Sequence, residues 1–156
     1  MALSRRSQKT PPGAPRSDLN ATNTHTPNQP NKPQKPGHTA SVEAAGFCPG
    51  GQPALAASAG LDAHLRVWDA GAGFSARAAV AHPAGVTRLA WHPLQPAVVA
   101  TACVDGRVRL CDLRTGAVAR TLRGHADAVQ DVCFSPDGRA VLSGSDDGTA
   151  RVFAVL

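Results

Sequence analysis

A five-residue signature recurs three times along this chain at a nearly constant period, and no other feature constrains its fold as strongly. Each copy opens on a histidine and places an aromatic residue nine positions later. A hydroxyl, an aspartate and a final aromatic or cysteine follow. The copies read His38, Phe47, Ser58, Asp62, Trp68; then His82, Trp91, Thr101, Asp105, Cys111; then His125, Phe134, Ser143, Asp147, Phe153. Successive histidines stand 44 and 43 residues apart. A fixed period of roughly 20 to 50 residues is that of a repeat protein, whose units bury their faces by stacking on their neighbours. Polar residues that return with the period therefore belong first to the architecture and only then to chemistry.

Strand signals fill each unit. In the third, Val129, Asp131 and Cys133 alternate with Gln130, Val132 and Phe134, and Ser135-Pro136-Asp137-Gly138 follows as a tight turn. Ala140 to Ser145, a turn at Asp146-Asp147-Gly148, and Ala150 to Phe153 complete three antiparallel strands. The second unit repeats the scheme at Val86 to Trp91, Val98 to Ala102 and Val108 to Asp112, with Ala117 to Leu122 as an outer strand. The first does so at Val42 to Phe47, Ala54 to Ala59, Leu65 to Asp69 and Ser75 to Val80. With no helical periodicity anywhere, the expected class is all-β.

Gly37-His38, Gly124-His125, Val67-Trp68-Asp69 and Ser143-Gly144-Ser145-Asp146-Asp147-Gly148 carry a resemblance to the WD40 β-propeller family over residues 38 to 155. It implies a partial propeller of three antiparallel blades, at about 38–80, 81–123 and 124–156, with the last blade incomplete. In that family the Trp indole donates to the hydroxyl, and the Asp orients the His. On this sequence the complete relay is His38, Ser58, Asp62 and Trp68. Shorter sets are His82, Thr101 and Asp105, then His125, Ser143 and Asp147, because Cys111 and Phe153 stand where the indole belongs. A buried polar group without its partner costs about 1–3 kcal/mol, so the second and third blades are expected to be less rigid than the first.

A narrower similarity, to the angio-associated migratory cell protein group, rests on Ser41 to Cys48, Asp105 to Leu110 and the ending Ala150-Arg151-Val152-Phe153. It implies the C-terminal blades of a longer propeller, and an adaptor or ribosomal-protein chaperone role. Propellers close with typically four to eight blades. Three units are therefore expected to be a portion of a larger ring, or to complete one by self-association or with another chain.

Composition divides the chain near Gly37. Residues 1–37 hold seven of the thirteen prolines, all three lysines, no aromatic residue and Asp18 as the sole acid. Such a stretch buries too little apolar surface to offset its chain entropy, and is expected to be a disordered tail. From His38 onward ten arginines face ten acids, so the formal charge of +5 belongs to the tail. The tail's charges are scattered without interleaved aromatics, which disfavours nucleic acid as a partner, although tail-borne RNA or ribosome association is the alternative function. With no export signal and no membrane-length apolar run, the expected location is the cytoplasm or the nucleus.

Enzymatic and metal readings fare poorly. Ser, His and Asp together suggest a hydrolase triad, but a catalytic set is needed once, and here it returns with every unit. Neither a GxSxG elbow, an HExxH helix nor a phosphate-cradling glycine loop is present. Cys48, Cys103, Cys111 and Cys133 lack CxxC spacing, so no metal site and no cofactor is expected. His64 and His92 read as solvated loop histidines, and Arg107, Arg109 and Arg151 as a polar strand face. Arg66, Arg88, Arg114 and Arg123 are candidate contacts for a protein or peptide partner, since arginine is enriched at binding hot spots. The expected function is a non-catalytic interaction scaffold that binds through the loops around His82–Gly85 and Gly124–Asp127.

Overall fold

The computed structural model describes residues 37–50, 54–71 and 73–155, and these form eleven strands in three antiparallel sheets. The first sheet, blade 1, orders β1 (Val42–Phe47), β2 (Leu55–Gly60), β3 (His64–Asp69) and β4 (Ser75–Ala81) side by side. Blade 2 repeats this with β5 (Val86–Trp91), β6 (Val98–Cys103), β7 (Val108–Asp112) and β8 (Ala117–Leu122). Blade 3 has β9 (Val129–Phe134), β10 (Ala140–Ser145) and β11 (Ala150–Ala154). The expected all-β blades are all present; the tail read as disordered lies, apart from Gly37, outside the described residues.

Alternation along each strand sends side chains to both faces of a sheet; both faces of blade 2 meet a neighbouring blade, and one face each of blades 1 and 3 does so. Between blades 1 and 2, Ala57, Ala59, Leu65 and Val80 pack against Val86, Val99, Cys103 and Cys111. Between blades 2 and 3, Ala100, Ala102, Val108, Leu110 and Leu122 pack against Val129, Val132 and Val141. The core thus consists of two apolar layers, one per blade interface.

The aromatic that follows the second and third histidines by nine residues is the wedge between blades. Trp91 lies against Gly46 of blade 1 and donates its indole N–H to the Gly46 carbonyl at 3.2 Å. Phe134 does the equivalent on blade 2, packing against the His92 ring at 4.9 Å between centroids. Phe47 occupies the same position in β1 and is 69% exposed. On the far side, Leu142 and Val152 of blade 3 are exposed where Ala100 and Leu110 of blade 2 are covered.

The hairpins after β2, β6 and β10 turn through a residue of positive φ at equivalent positions: Ala63 (60°), Gly106 (77°) and Gly148 (77°). An L-residue in the left-handed region carries about 1–2 kcal/mol of strain, which glycine avoids at some cost in unfolded-chain entropy. Ala63→Gly is therefore expected to stabilise the protein by roughly 0.5–1 kcal/mol, read as a raised thermal midpoint with unchanged far-UV circular dichroism.

Candidate functional site

At one end of the sheets lie the segments that enter β1, β5 and β9 and the hairpins after β2, β6 and β10. The recurring histidines and aspartates meet there. In blade 1 the His38 Nδ1–H donates to Asp62 at 2.9 Å, and Ser58 Oγ lies 2.8 Å from His38 Nε2. The Trp68 indole N–H donates to the same Ser58 oxygen at 2.9 Å. One tautomer satisfies this chain from indole to hydroxyl to imidazole to carboxylate. Asp62 also accepts the backbone N–H groups of Thr39 and His64, so it ties the entering segment to the hairpin. Although burial pushes the Asp62 carboxyl up, the His38 and Thr39 bonds outweigh it and hold the group below its ordinary range.

Blade 3 repeats the bracing without the indole. His125 Nδ1 meets Asp147 at 2.9 Å, His125 Nε2 meets Ser143 Oγ at 2.8 Å, and the Ala126 N–H donates to Asp147 at 2.9 Å. Phe153, in the place of the tryptophan, presents its ring near edge-on to His125 at 6.5 Å. Thr149 Oγ1 donates to Asp147 at 2.6 Å. That hydroxyl, together with the Ala126 N–H, sets the Asp147 carboxyl well below its usual range.

Blade 2 departs from the expected set. His82 reaches Thr101 at 3.0 Å, but its Nδ1 turns to the Val80 carbonyl at 3.1 Å. Asp105 instead takes two bonds from the Arg109 guanidinium, at 3.0 and 2.6 Å, and is not a partner of His82. The residue after the histidine explains the change. Thr39 and Ala126 offer an N–H that holds the carboxylate over the entering segment, whereas Pro83 has none. Arg109, four residues along, is the nearest strong donor left. Arg66 and Arg151 sit at the same place in the other blades, yet Arg66 reaches Asp62 only at 3.8 Å and its Nε is buried without a partner. Cys111 fills the site of the indole, its Sγ 3.5 Å from His82 Nε2. Burial pushes the Cys111 thiol up to about 12, so it stays a neutral donor.

Two further residues behave unlike their sequence reading. His92 is buried, not solvated: its Nδ1 accepts the N–H groups of Leu94 and Gln95, and its ring fills the space left by Gly138, where a Cβ would lie 2.3 Å from it. His-Pro at the end of β5 gave no hint of this, since the covering residue comes from blade 3. Arg109 likewise lies in the blade 1–2 interface and is not part of an exposed strand face. Its signal was available as the aspartate four residues before it.

The four candidate contact arginines do not converge. Arg66 is half-buried under Asp62, and Arg88 pairs with Asp131 across blades 2 and 3 at 3.3 Å. Arg114 is held by Asp112 at 2.9 Å in the turn at the opposite end of blade 2. Arg123 sits by the braced end of blade 2, beside Pro83.

The three blades, with their recurring His, Ser or Thr and Asp, have a counterpart among known families: the WD domain, G-beta repeat family matches residues 31–69, 76–112 and 116–153. The chain belongs to the WD40-repeat family. No curated protein matches it. WD40 repeat domains generally serve as scaffolds for protein–protein interaction, and that is the kind of domain this chain carries. In this WD40 protein the Ser, His and Asp of blades 1 and 3 brace the sheet ends, while in blade 2 Asp105 holds Arg109 instead.

Two measurements check the bracing. Trp68→Phe keeps the ring but removes the donor to Ser58, and is expected to cost about 1 kcal/mol with no change in fold by circular dichroism. Acidification should also destabilise the blades. Asp62, Asp105 and Asp147 are held below their ordinary values, and burial holds His82 below its own. Stability from such groups is complete above the unfolded pKa values, about 6.5 for His and 3.9 for Asp, and is lost as pH falls through the folded ones. The thermal midpoint should therefore begin to fall below about pH 6.5 and drop further below about pH 4.

Proposed function

We propose that the protein is an adaptor that docks a protein or peptide partner on the rim formed by the loops at Ala81–Gly85 and Gly124–Asp127 and the hairpins between them. The observation that carries this reading is the bracing itself. Asp62 and Asp147 each pin an entering segment to its hairpin. Further bonds join the loops to each other: Val104 N–H to the Gly85 carbonyl at 3.0 Å, and Ser145 Oγ to the Asp127 carbonyl at 3.0 Å. A rim fixed in advance loses little freedom on binding. It also presents Leu61 and Val104, 47% and 44% exposed, as apolar contacts at equivalent hairpin positions.

The test is capture of partners by the full chain, with identification by mass spectrometry, against Leu61→Asp/Val104→Asp. Both side chains are about half exposed, so the variant should keep a cooperative melt near that of the wild type and lose the captured partner. Retention of every partner would overturn the rim reading. A second reading, RNA or ribosome association, draws on the positive charge concentrated in residues 1–37. It is distinguished by nuclease-sensitive capture that disappears with residues 1–36 and falls steeply with salt. A ribosomal protein among the rim-dependent partners would support the chaperone role that the narrower resemblance implies.

A further inference from the structure

A groove of about 730 Å³ opens between blades 1 and 2 beside the rim, and its charge is unbalanced. Blade 1 contributes Ala81 and Pro83; blade 2 contributes Arg107, Arg109, Thr121 and Arg123. The β7–β8 ladder pairs Arg109 with Thr121 and Val108 with Leu122. Arg107 and Arg123 are the residues immediately beyond that last pair, and both line the groove together with Arg109. Like charges gathered at the end of neighbouring strands repel. Asp105 is the only carboxylate lining the groove, and Arg109 engages both of its oxygens. Among the described residues, neither the Arg107 nor the Arg123 guanidinium has an ion-pair partner.

We propose that this groove binds an acidic segment of a protein partner, whose Asp or Glu carboxylates lie between Arg107 and Arg123. The inference rests on the scaffold reading above and names the chemistry of one of its partners. Planar guanidinium forks match carboxylates in two-point geometry, and an anion between the two arginines removes their repulsion. The walls supplied by Ala81, Pro83, Ala117 and Val118 suit the aliphatic part of an extended peptide. Single-stranded nucleic acid fits less well, because its bases need aromatic platforms and no aromatic residue lines the groove. The chain's own residues 1–37 have the wrong sign, with six Lys and Arg against Asp18.

The experiment is fluorescence anisotropy of the full chain with a labelled hexaglutamate peptide at physiological salt. Arg107→Gln/Arg123→Gln is expected to weaken binding by about tenfold or more. Arg114→Gln, at the far end of blade 2, should leave it unchanged. Should the double variant melt early, Arg123→Gln alone, at an exposed position, should still weaken binding by about threefold. Absence of binding, equal binding by wild type and variants, or tighter binding of an oligothymidylate of equal charge with the same arginine dependence would each overturn the proposal. The scaffold reading is tested separately, since partner capture that depends on Leu61 and Val104 can survive failure of the groove.

Discussion

Asp105→Ala should destabilise the protein more than loss of either relay aspartate's histidine bond, by about 3–5 kcal/mol. The Arg109 side chain is 6% exposed, and its two bonds to Asp105 are what offset the removal of its charge from water. The same pairing holds the Asp105 carboxyl below its ordinary range and raises the guanidinium further above its own. Without the carboxylate, a cation remains in the blade 1–2 interface beside Cys103 and Thr101. Domains of this size are stable by about 5–15 kcal/mol, so the loss should appear as a large fall in the thermal midpoint. Arg109→Met in the Asp105→Ala background should restore much of it, because an apolar side chain of similar length needs no partner. A cost below about 1 kcal/mol would show that Arg109 is in effect solvated.

Leu65→Ala is expected to cost about 3–5 kcal/mol, in the upper part of the range for buried leucines. Leu65 is fully buried where β3 meets blade 2, among Val80, Val86, Val99 and Cys111. Its neighbours on β2 are Ala57 and Ala59, which have no side-chain length with which to fill a cavity. Urea unfolding should show a lower midpoint with an unchanged slope. Leu94→Ala, at a residue 70% exposed, should change stability by less than about 0.5 kcal/mol and serves as the comparison.

Much of the blade architecture was legible because two short-range rules act together. Period-2 alternation marks strands, and turn sequences such as Ser135-Pro136-Asp137-Gly138 mark where they reverse. The strands of blades 2 and 3 fall within a residue of their sequence-based bounds, and β11 follows the Asp146-Asp147-Gly148 turn as expected. The reading of His92 failed for a different reason. Its burial depends on Phe134 and Gly138, more than forty residues away, and nothing local to His92-Pro93 reports them.

The His, hydroxyl and Asp of each unit could be located from spacing alone, but spacing does not choose between two partners within reach. At Asp105 both His82 and Arg109 are available, and the missing N–H of Pro83 tips the balance toward the arginine. Arg107 and Arg123 are sixteen residues apart and come to line one groove only because β7 and β8 pair up to Val108 and Leu122. The amino-acid sequence by itself determined the period and the strand-and-turn pattern, because these follow from nearest-neighbour chemistry repeated three times. Only the tertiary structure decided which faces are covered, which partner each carboxylate takes and where unpaired positive charge collects, because those outcomes depend on contacts between blades.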